Sequence, residues 1–509
     1  GTFISGQTVN LDGGTLANAG LISPGGAGNA ITTTVTGDFE QTSTGRLQMD
    51  VDLSGSGASD LLAVSGNVTA AGTVEATLLH PGRVVSGESQ ITLISGGGTV
   101  AAGDLQLDFD PSAVVGLTLQ PGENGLVLNA NVDFTPDGVT GNGASVGETF
   151  NELTANGTNS DMESIIEQLV SISDPDELAA AYEGVAPGAY GAASQVALDM
   201  TQLGLRTLQR HNYRLRSDLR EKRDAAGVTV SKPMPREQVW YERFRQTGDQ
   251  DSSADYTGWD YNVSGGTWGL DYRMSNKWLL GAAYITESAD LSVDVGPMQG
   301  GISAKIGALY SNYLARHYYL EASLAKGDYD FSQRRAVHFA GISNMMESLH
   351  SGESTAASLR VGMYASGRFG FEPYLSLLHA SVDEDPFEET GAGSLDLNVN
   401  SHTTKSTVVE VGTHFKYKIR SGGGYFIPDL GLAYAKEIGN GNNDVTAVFS
   451  GAPDDLLTVK TRDRGDRFLL NTGFTFTGSG GTSFEARYFS EFKSGYKNQG
   501  GMAALFLEF

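Results

Sequence analysis

From about residue 236 to the end, this chain alternates with a period of two between large apolar side chains and charged ones, and that alternation limits its possible folds more than any other feature. Trp278, Leu280, Ala282 and Tyr284 share one face, as do Phe468, Leu470, Phe474 and Phe476, and again Leu505, Leu507 and Phe509. The alternate positions carry Asp271, Lys305, Glu321, Arg360, Glu410, His414, Lys416, Glu485 and Arg487. A period of two is the signature of strands. Apolar residues facing outward and charges facing inward are the pattern of a barrel in lipid. No uninterrupted apolar run reaches the roughly 18–20 residues of a membrane helix, which leaves a closed barrel as the way across.

Connection lengths test this reading independently. Twelve strands are predicted, near 236–247, 258–273, 276–293, 301–315, 316–332, 354–368, 371–383, 404–420, 423–437, 465–478, 481–493 and 499–509. Alternate connections are tight, at Ser275-Asn276, Ala315-Arg316, 367–370, 421–424 and 478–481. The others are mostly long and polar, as at 248–257, 333–353, 384–403 and 438–464. Bacterial outer-membrane barrels have short periplasmic turns and long external loops, which puts Arg236 and Phe509 both on the periplasmic side.

Composition divides the rest. Residues 1–147 contain no Trp or Tyr, and Arg46 and Arg83 are their only basic residues. Short alternating runs such as 47–53 and 73–78, separated by Gly, Asn and Asp, predict a β-solenoid, with a sandwich as the alternative. Residues 148–193 change to a helical period, with Met162, Ile165, Ile166 and Leu169 on one face and Asp174-Pro175 as a helix start. Residues 194–235 form a long helix and its connection, and residues 236–509 the barrel. The net charge of −26 excludes nucleic acid as a partner, and the absence of cysteine excludes disulfides.

A twelve-stranded lumen is wider than the eight-stranded kind that side chains fill, so a helix roughly 10–12 Å across fits inside. The helix from about Ser194 to Arg223 carries Arg206, Arg210 and Arg214 at four-residue spacing. About 30 residues at 1.5 Å each span roughly 45 Å, enough to run through the lumen. There its arginines are expected to meet Asp271, Glu321, Glu410 or Glu485. Gly269, Gly281, Gly307, Gly362, Gly412, Gly431 and Gly473 fall on the inward phase and are expected to clear room for it.

These residues also resemble a known family. The stretches 266–273 and 278–283 are similar to the second and third barrel strands of monomeric autotransporters of type Va secretion, and 505–509 to their terminal strand. Upstream, Ile22-Ser23-Pro24-Gly25-Gly26, Gly37-Asp38-Phe39 and 60–66 resemble the end of a passenger β-helix. The resemblance implies a mainly β chain: a right-handed β-solenoid with an autochaperone-like role, a short α-helical linker, and a 12-stranded antiparallel transmembrane barrel holding a helix. It implies an outer-membrane translocator and anchor that secretes and displays its own N-terminal passenger on the cell surface. The implied partners are outer-membrane lipid and lipopolysaccharide, with periplasmic chaperones and a barrel-assembly machinery that reads Phe509. It implies a monomer with no cofactor, metal or enzymatic activity. Some members sever the helix at an Asn-Asn pair, whereas this helix has only Asn212 before Tyr213.

Three other features compete. Gly143-Ala144-Ser145-Val146-Gly147 has the spacing of a nucleophile elbow, but without the α/β context that such a turn needs. Asp383, Glu384, Asp385, Glu388 and Glu389 form an acidic loop, read first as solvated and second as a divalent-cation site. The rival functions are an outer-membrane enzyme of protease or lipase type with its site on the external loops, and a surface adhesin or scaffold built on the solenoid.

Overall fold

A computed structural model describes all residues except 225–235, 254–256, 295–297, 366–367, 422–423, 440–442, 462–464, 478–481 and 508–509. Phe509 and the turn 478–481 therefore lie outside the described residues, as do parts of the turns near 367 and 422.

The N-terminal region is a stack of parallel rungs. Thr2–Ser5, Leu21–Pro24, Arg46–Asp52, Val68–Leu79 and Val100–Asp108 pair in parallel in that order. A second parallel series runs through Thr8–Asn18, Thr32–Gln41, Leu61–Val64 and Gly87–Gly96. Sandwich sheets are antiparallel, so parallel stacking decides for a solenoid. Val35, Phe39, Leu47, Met49, Leu62, Val74 and Ile94 fill its interior. An antiparallel hairpin, Val115–Gly122 with Gly125–Val132, closes the stack against Gly87–Gly96.

Four helices follow: α1 (Gly141–Asn156), α2 (Ser160–Val170), α3 (Pro175–Val185) and α4 (Gly188–Asp224). Asn159 and Asp174 cap α2 and α3 through their side chains, and Met162, Ile165, Ile166 and Leu169 are the buried face of α2. Two helices start earlier than the sequence suggests, because their glycine-rich first turns score poorly by propensity. Tertiary packing overrides propensity there. A Cβ on Gly147 would sit 2.3 Å from the Phe134 carbonyl oxygen, and one on Gly191 2.3 Å from Thr461 Cγ2. The Ser145 of the elbow-like motif thus sits inside α1, where its carbonyl accepts from Thr149 Oγ1. It is not at a strand-to-helix turn.

Twelve antiparallel strands close the barrel: Glu237–Gln250, Trp259–Arg273, Trp278–Val293, Met298–Leu314, Tyr318–Phe339, Ile342–Met363, Phe369–Glu384, His402–Tyr417, Gly424–Gly439, Arg467–Thr477, Thr482–Lys493 and Tyr496–Leu507. The first pairs with the last from Arg243–Ala503 to Gln250–Tyr496. Trp278, Leu280, Tyr284, Phe468 and Phe476 point outward and are exposed, as lipid-facing residues must be.

Three expectations for the barrel are corrected. The segment 333–353 is no loop: the fifth and sixth strands run on to a two-residue turn at Ala340 and Gly341, both at positive φ (40° and 86°). The loops 384–403 and 438–464 carry strands of their own, Phe387–Glu388, Leu397–Val399, Val445–Phe449 and Ala452–Val459, which form a four-stranded cap sheet. Phe449 of that sheet stacks on Phe150 of α1 at 5.8 Å, so one apolar core continues from solenoid to barrel. Lastly, Lys305 and Gly307 face outward. Ile302, Ala304, Ile306 and Ala308 are the buried phase of their strand, and Lys305 lies opposite Asp328 on the outer wall. This strand emerges from lipid into water, where the outward face becomes the polar one.

In the solenoid, buried Asp60 accepts from the backbone N–H groups of Ile31 and Asp50. Burial raises its carboxyl from 3.8 to about 6; those two N–H groups oppose the rise and the Asp50 carboxylate adds to it. A raised carboxyl costs stability once ionised, so its contribution is most favourable below about 4 and declines as pH rises through about 6. Asp60→Asn should flatten this part of the profile. Thermal unfolding of the solenoid at pH 4.5 and 7 should show a smaller pH difference in the variant than in the native chain. An identical difference would refute the assignment.

Candidate functional site: the helix in the lumen

Helix α4 has 37 residues, about 55 Å at 1.5 Å each, and runs the length of the barrel. Its start is held at the long-loop end. Tyr190 donates to Glu389, and Ser194 Oγ lies 3.0 Å from His402 Nε2. Glu389 also takes a two-pronged ion pair from Arg335 (2.8 and 2.6 Å), and His350 lies 2.9 Å from Glu384. These two carboxylates of the acidic loop are therefore buried and internally paired, which corrects the reading of a solvated loop. Among the described residues no group of three or more His, Asp or Glu is arranged to hold a metal.

Deeper in, the contacts change from apolar and hydroxyl to ionic. Asp199 accepts from Tyr261 at 2.8 Å, Thr201 lies 2.7 Å from the Tyr329 hydroxyl, and Gln202 donates to Ser406 at 3.0 Å. At Gly204 α4 lies close to the wall: a Cβ there would lie 3.2 Å from Ile285 Cδ1. Arg206 then meets Glu410 at 2.9 Å and Glu491 at 3.0 Å. Arg210 meets Glu242 at 3.4 Å, with its guanidinium 4.6 Å from the centre of the Phe489 ring. Arg214 donates to His211 Nδ1 at 2.7 Å, and His211 Nε2 lies 2.9 Å from Asp271. Arg216 pairs with Glu321 and sits 3.7 Å over the Tyr319 ring, near the short-turn end. The side chains beyond Arg216 on this helix lie outside the described set.

Of the four barrel carboxylates read from the sequence, Glu410 and Glu321 pair with helix arginines and Asp271 pairs with His211. Glu485 instead pairs with Arg487 of its own strand. Glu242, Asp429 and Glu491 also meet α4 or its partners, and strand parity alone could have found them, because each lies on the buried phase. Glu410 is the hub. It accepts from Arg206, from Arg360 at 3.2 Å and from Tyr374 at 2.7 Å, while Arg360 also donates to Gln209 at 2.8 Å. An ion pair taken out of water is favourable only when each charge has several partners, and Glu410 has three. A small cleft, partly open to solvent, remains beside this hub, lined by Arg206, Arg210, Arg360, Glu410 and Glu491.

The inward glycines act differently from expectation. A Cβ on Gly269 would lie 2.1 Å from the Trp240 ring, on Gly281 2.1 Å from Tyr310, on Gly362 2.4 Å from Tyr319 and on Gly412 2.6 Å from Tyr374. Each ring belongs to the residue directly opposite on the adjacent strand. His414 and Arg487 cover Gly431 and Gly473 in the same way. The glycines therefore let aromatic and charged side chains lie flat along the wall. Some of those side chains then face the helix: Trp240 stacks on His211 at 3.8 Å, and Tyr319 lies under Arg216.

Glu410→Gln would take the carboxylate from the buried guanidinium of Arg360 and leave Arg206 with Glu491, which should cost about 3 kcal/mol. Urea unfolding in detergent should show this loss, while Lys305→Gln on the outer wall should leave stability within about 0.5 kcal/mol.

Residues 239–488 match the family described as the autotransporter β-domain. Over 216 residues the chain is 23% identical to esterase EstA of Pseudomonas aeruginosa, a match covering 42% of this chain and 32% of that protein. The values for esterase EstA of Pseudomonas putida are the same, so the chain spans about a third of the length of these relatives. Among solved structures, the translocator domain of autotransporter NalP from Neisseria meningitidis is 16% identical, with a TM-score of 0.44 over 58% of this chain and 96% of that one. The β-domain of the Bordetella autotransporter BrkA is also 16% identical, with a TM-score of 0.39 over 53% of this chain and 99% of that one.

Proposed function

The chain belongs, through residues 239–488, to the autotransporter β-domain family, and on that premise we propose that it secretes and displays its own N-terminal region from the outer membrane. The observation that carries this reading is the direction of threading. Helix α4 is held at the long-loop end through Tyr190 and Ser194 and reaches the short-turn end at Arg216. Everything before Gly188 accordingly lies at the long-loop end, while the first barrel strand starts at the short-turn end. Long loops face the cell exterior in outer-membrane barrels, so the solenoid stands outside and the barrel is its anchor.

In this reading α4 is the last segment to cross and stays as a plug. The cap sheet and helices α1 to α3 form a rigid base on which the solenoid's last rungs fold. In this reading the chain serves as anchor and translocator: its match to the esterase relatives covers about a third of their length, and Ser145 is embedded in α1. The partners are outer-membrane lipid, lipopolysaccharide on the outer leaflet, and periplasmic chaperones with the barrel-assembly machinery, for which Phe509 is the signal. The chain works as a monomer.

On intact cells, a tag in the exposed turn 55–57 of the solenoid should be accessible to antibody and protease; a protected tag in an assembled barrel would refute display. Removing residues 496–509, the strand that closes the barrel, should abolish accessibility. Deleting residues 200–223 should raise conductance in planar bilayers severalfold, and unchanged conductance would refute the plug.

A further inference from the structure

In a chain of net charge −26, the five short turns of the barrel contain no Asp or Glu at all. The stretches 273–278, 314–318, 364–369 and 417–425 instead carry Arg273, Lys277, Arg316, Arg368, Lys418 and Arg420, and 477–482 carries no charge. Three connections at the opposite end show the reverse. The long connections 249–258, 290–298 and 383–402 hold Asp249, Asp251, Asp255, Asp290, Asp294 and the acidic run from Asp383 to Asp396, with no Lys or Arg. Two further connections at that end, 438–466 and 493–497, do carry Lys460, Arg462, Arg464, Lys493 and Lys497, so it is the short-turn rim, cationic and without acid, that stands apart as a ring of one sign.

The structure places this ring against a belt of outward aromatic residues. Tyr272, Trp278, Tyr318, Phe369, Tyr417 and Tyr425 are each about 40–57% exposed on the outer wall beside the turns. Lys277, Arg316, Arg368 and Arg420 are exposed just beyond them. The guanidinium of Arg368 lies 5.2 Å from the centre of the Tyr417 ring, so this charge is held at the wall. Ser275 Oγ accepts from the N–H groups of Lys277 and Trp278, which fixes the cation and its neighbouring ring in one turn. Aromatic belts of this kind sit at headgroup depth, and long basic side chains reach from the apolar wall to the charged layer.

We propose that the short-turn rim is a docking ring for anionic phospholipid headgroups, its cations meeting lipid phosphates in the leaflet that faces the periplasm. The identification of that leaflet rests on the orientation proposed above, whereas the lipid selectivity does not. An anionic phospholipid such as phosphatidylglycerol supplies both the phosphate and the net charge that a zwitterionic lipid lacks. Attraction between a cationic rim and an anionic surface falls off within a Debye length, so it should weaken with salt.

The test uses the full chain reconstituted in phosphatidylcholine vesicles with and without phosphatidylglycerol. Spin-labelled phosphatidylglycerol should associate with the native chain about threefold more than spin-labelled phosphatidylcholine, and high salt should reduce the preference. Substituting Lys277→Gln, Arg316→Gln, Arg368→Gln and Arg420→Gln together should bring the ratio to about one. If the fourfold variant fails to fold, the single variants Arg316→Gln and Arg420→Gln should each lower the ratio. Equal association of the two lipids with the native chain, or a preference that survives the substitutions, would overturn the proposal. So would a variant with unchanged lipid selectivity that assembles poorly in cells, since the ring would then serve a protein. A tag in the turn at Ser275-Asn276 reports orientation separately: accessibility on intact cells would refute the orientation and leave the lipid selectivity standing.

Discussion

A peptide group in hydrocarbon has no water to bond to, so the strands here pair all the way round a ring. That closure creates the next problem. Twelve strands enclose a lumen too wide for their own side chains to fill, and an empty polar channel would join the two sides of the membrane. Helix α4 resolves this by lying in the lumen, with its hydroxyl and amide groups near the long-loop end and its arginines further down. The wall is adapted to the helix in turn. Glycines opposite Trp240, Tyr310, Tyr319 and Tyr374 let those rings lie flat, which turns a sheet surface into a smooth, partly aromatic lining.

Solvent changes along the barrel axis, and the strand polarity changes with it. In the third and fifth strands, Tyr284 and Leu324 face lipid, while beyond them Thr286, Ser288, Asp290, Lys326, Asp328 and Asp330 face outward into water. Their inward neighbours become apolar at the same level, as at Ala289, Leu291, Tyr329 and Phe331. Above the membrane the wall therefore behaves as an ordinary soluble sheet with an apolar interior. This interior merges with the cap sheet and with α1 to α3, so the N-terminal region is fused to the barrel through one core. Arg335 and Glu389, buried beside Tyr190, bind the cap to the start of the lumen helix.

Much of this was legible in the residues because period-two alternation and connection length are local properties. The number of strands, the outward face of Trp278 to Tyr284, the capped helix with Met162 and Ile166, and the arginine spacing on α4 all follow from near neighbours in sequence. Parity also assigned Asp271, Glu321, Glu410 and Glu485 to the inner wall.

Tertiary structure decided what depends on a distant partner. Whether a glycine faces a helix or a ring depends on which residue lies across the strand pair, as Gly412 and Tyr374 show. Which carboxylate each helix residue meets depends on the rotation of α4, which set Arg206 on Glu410 and His211 on Asp271. The phase of Lys305 and Gly307 depended on where lipid ends, and the fate of Glu384 and Glu389 on partners carried by other strands. The chain's own pattern determined that it closes into a barrel in lipid, because alternation and turns are written locally. Only the folded molecule decided which charges meet inside it, because the helix's ion pairs join residues well separated in sequence, 32 positions for Arg210 and Glu242 and 204 for Arg206 and Glu410.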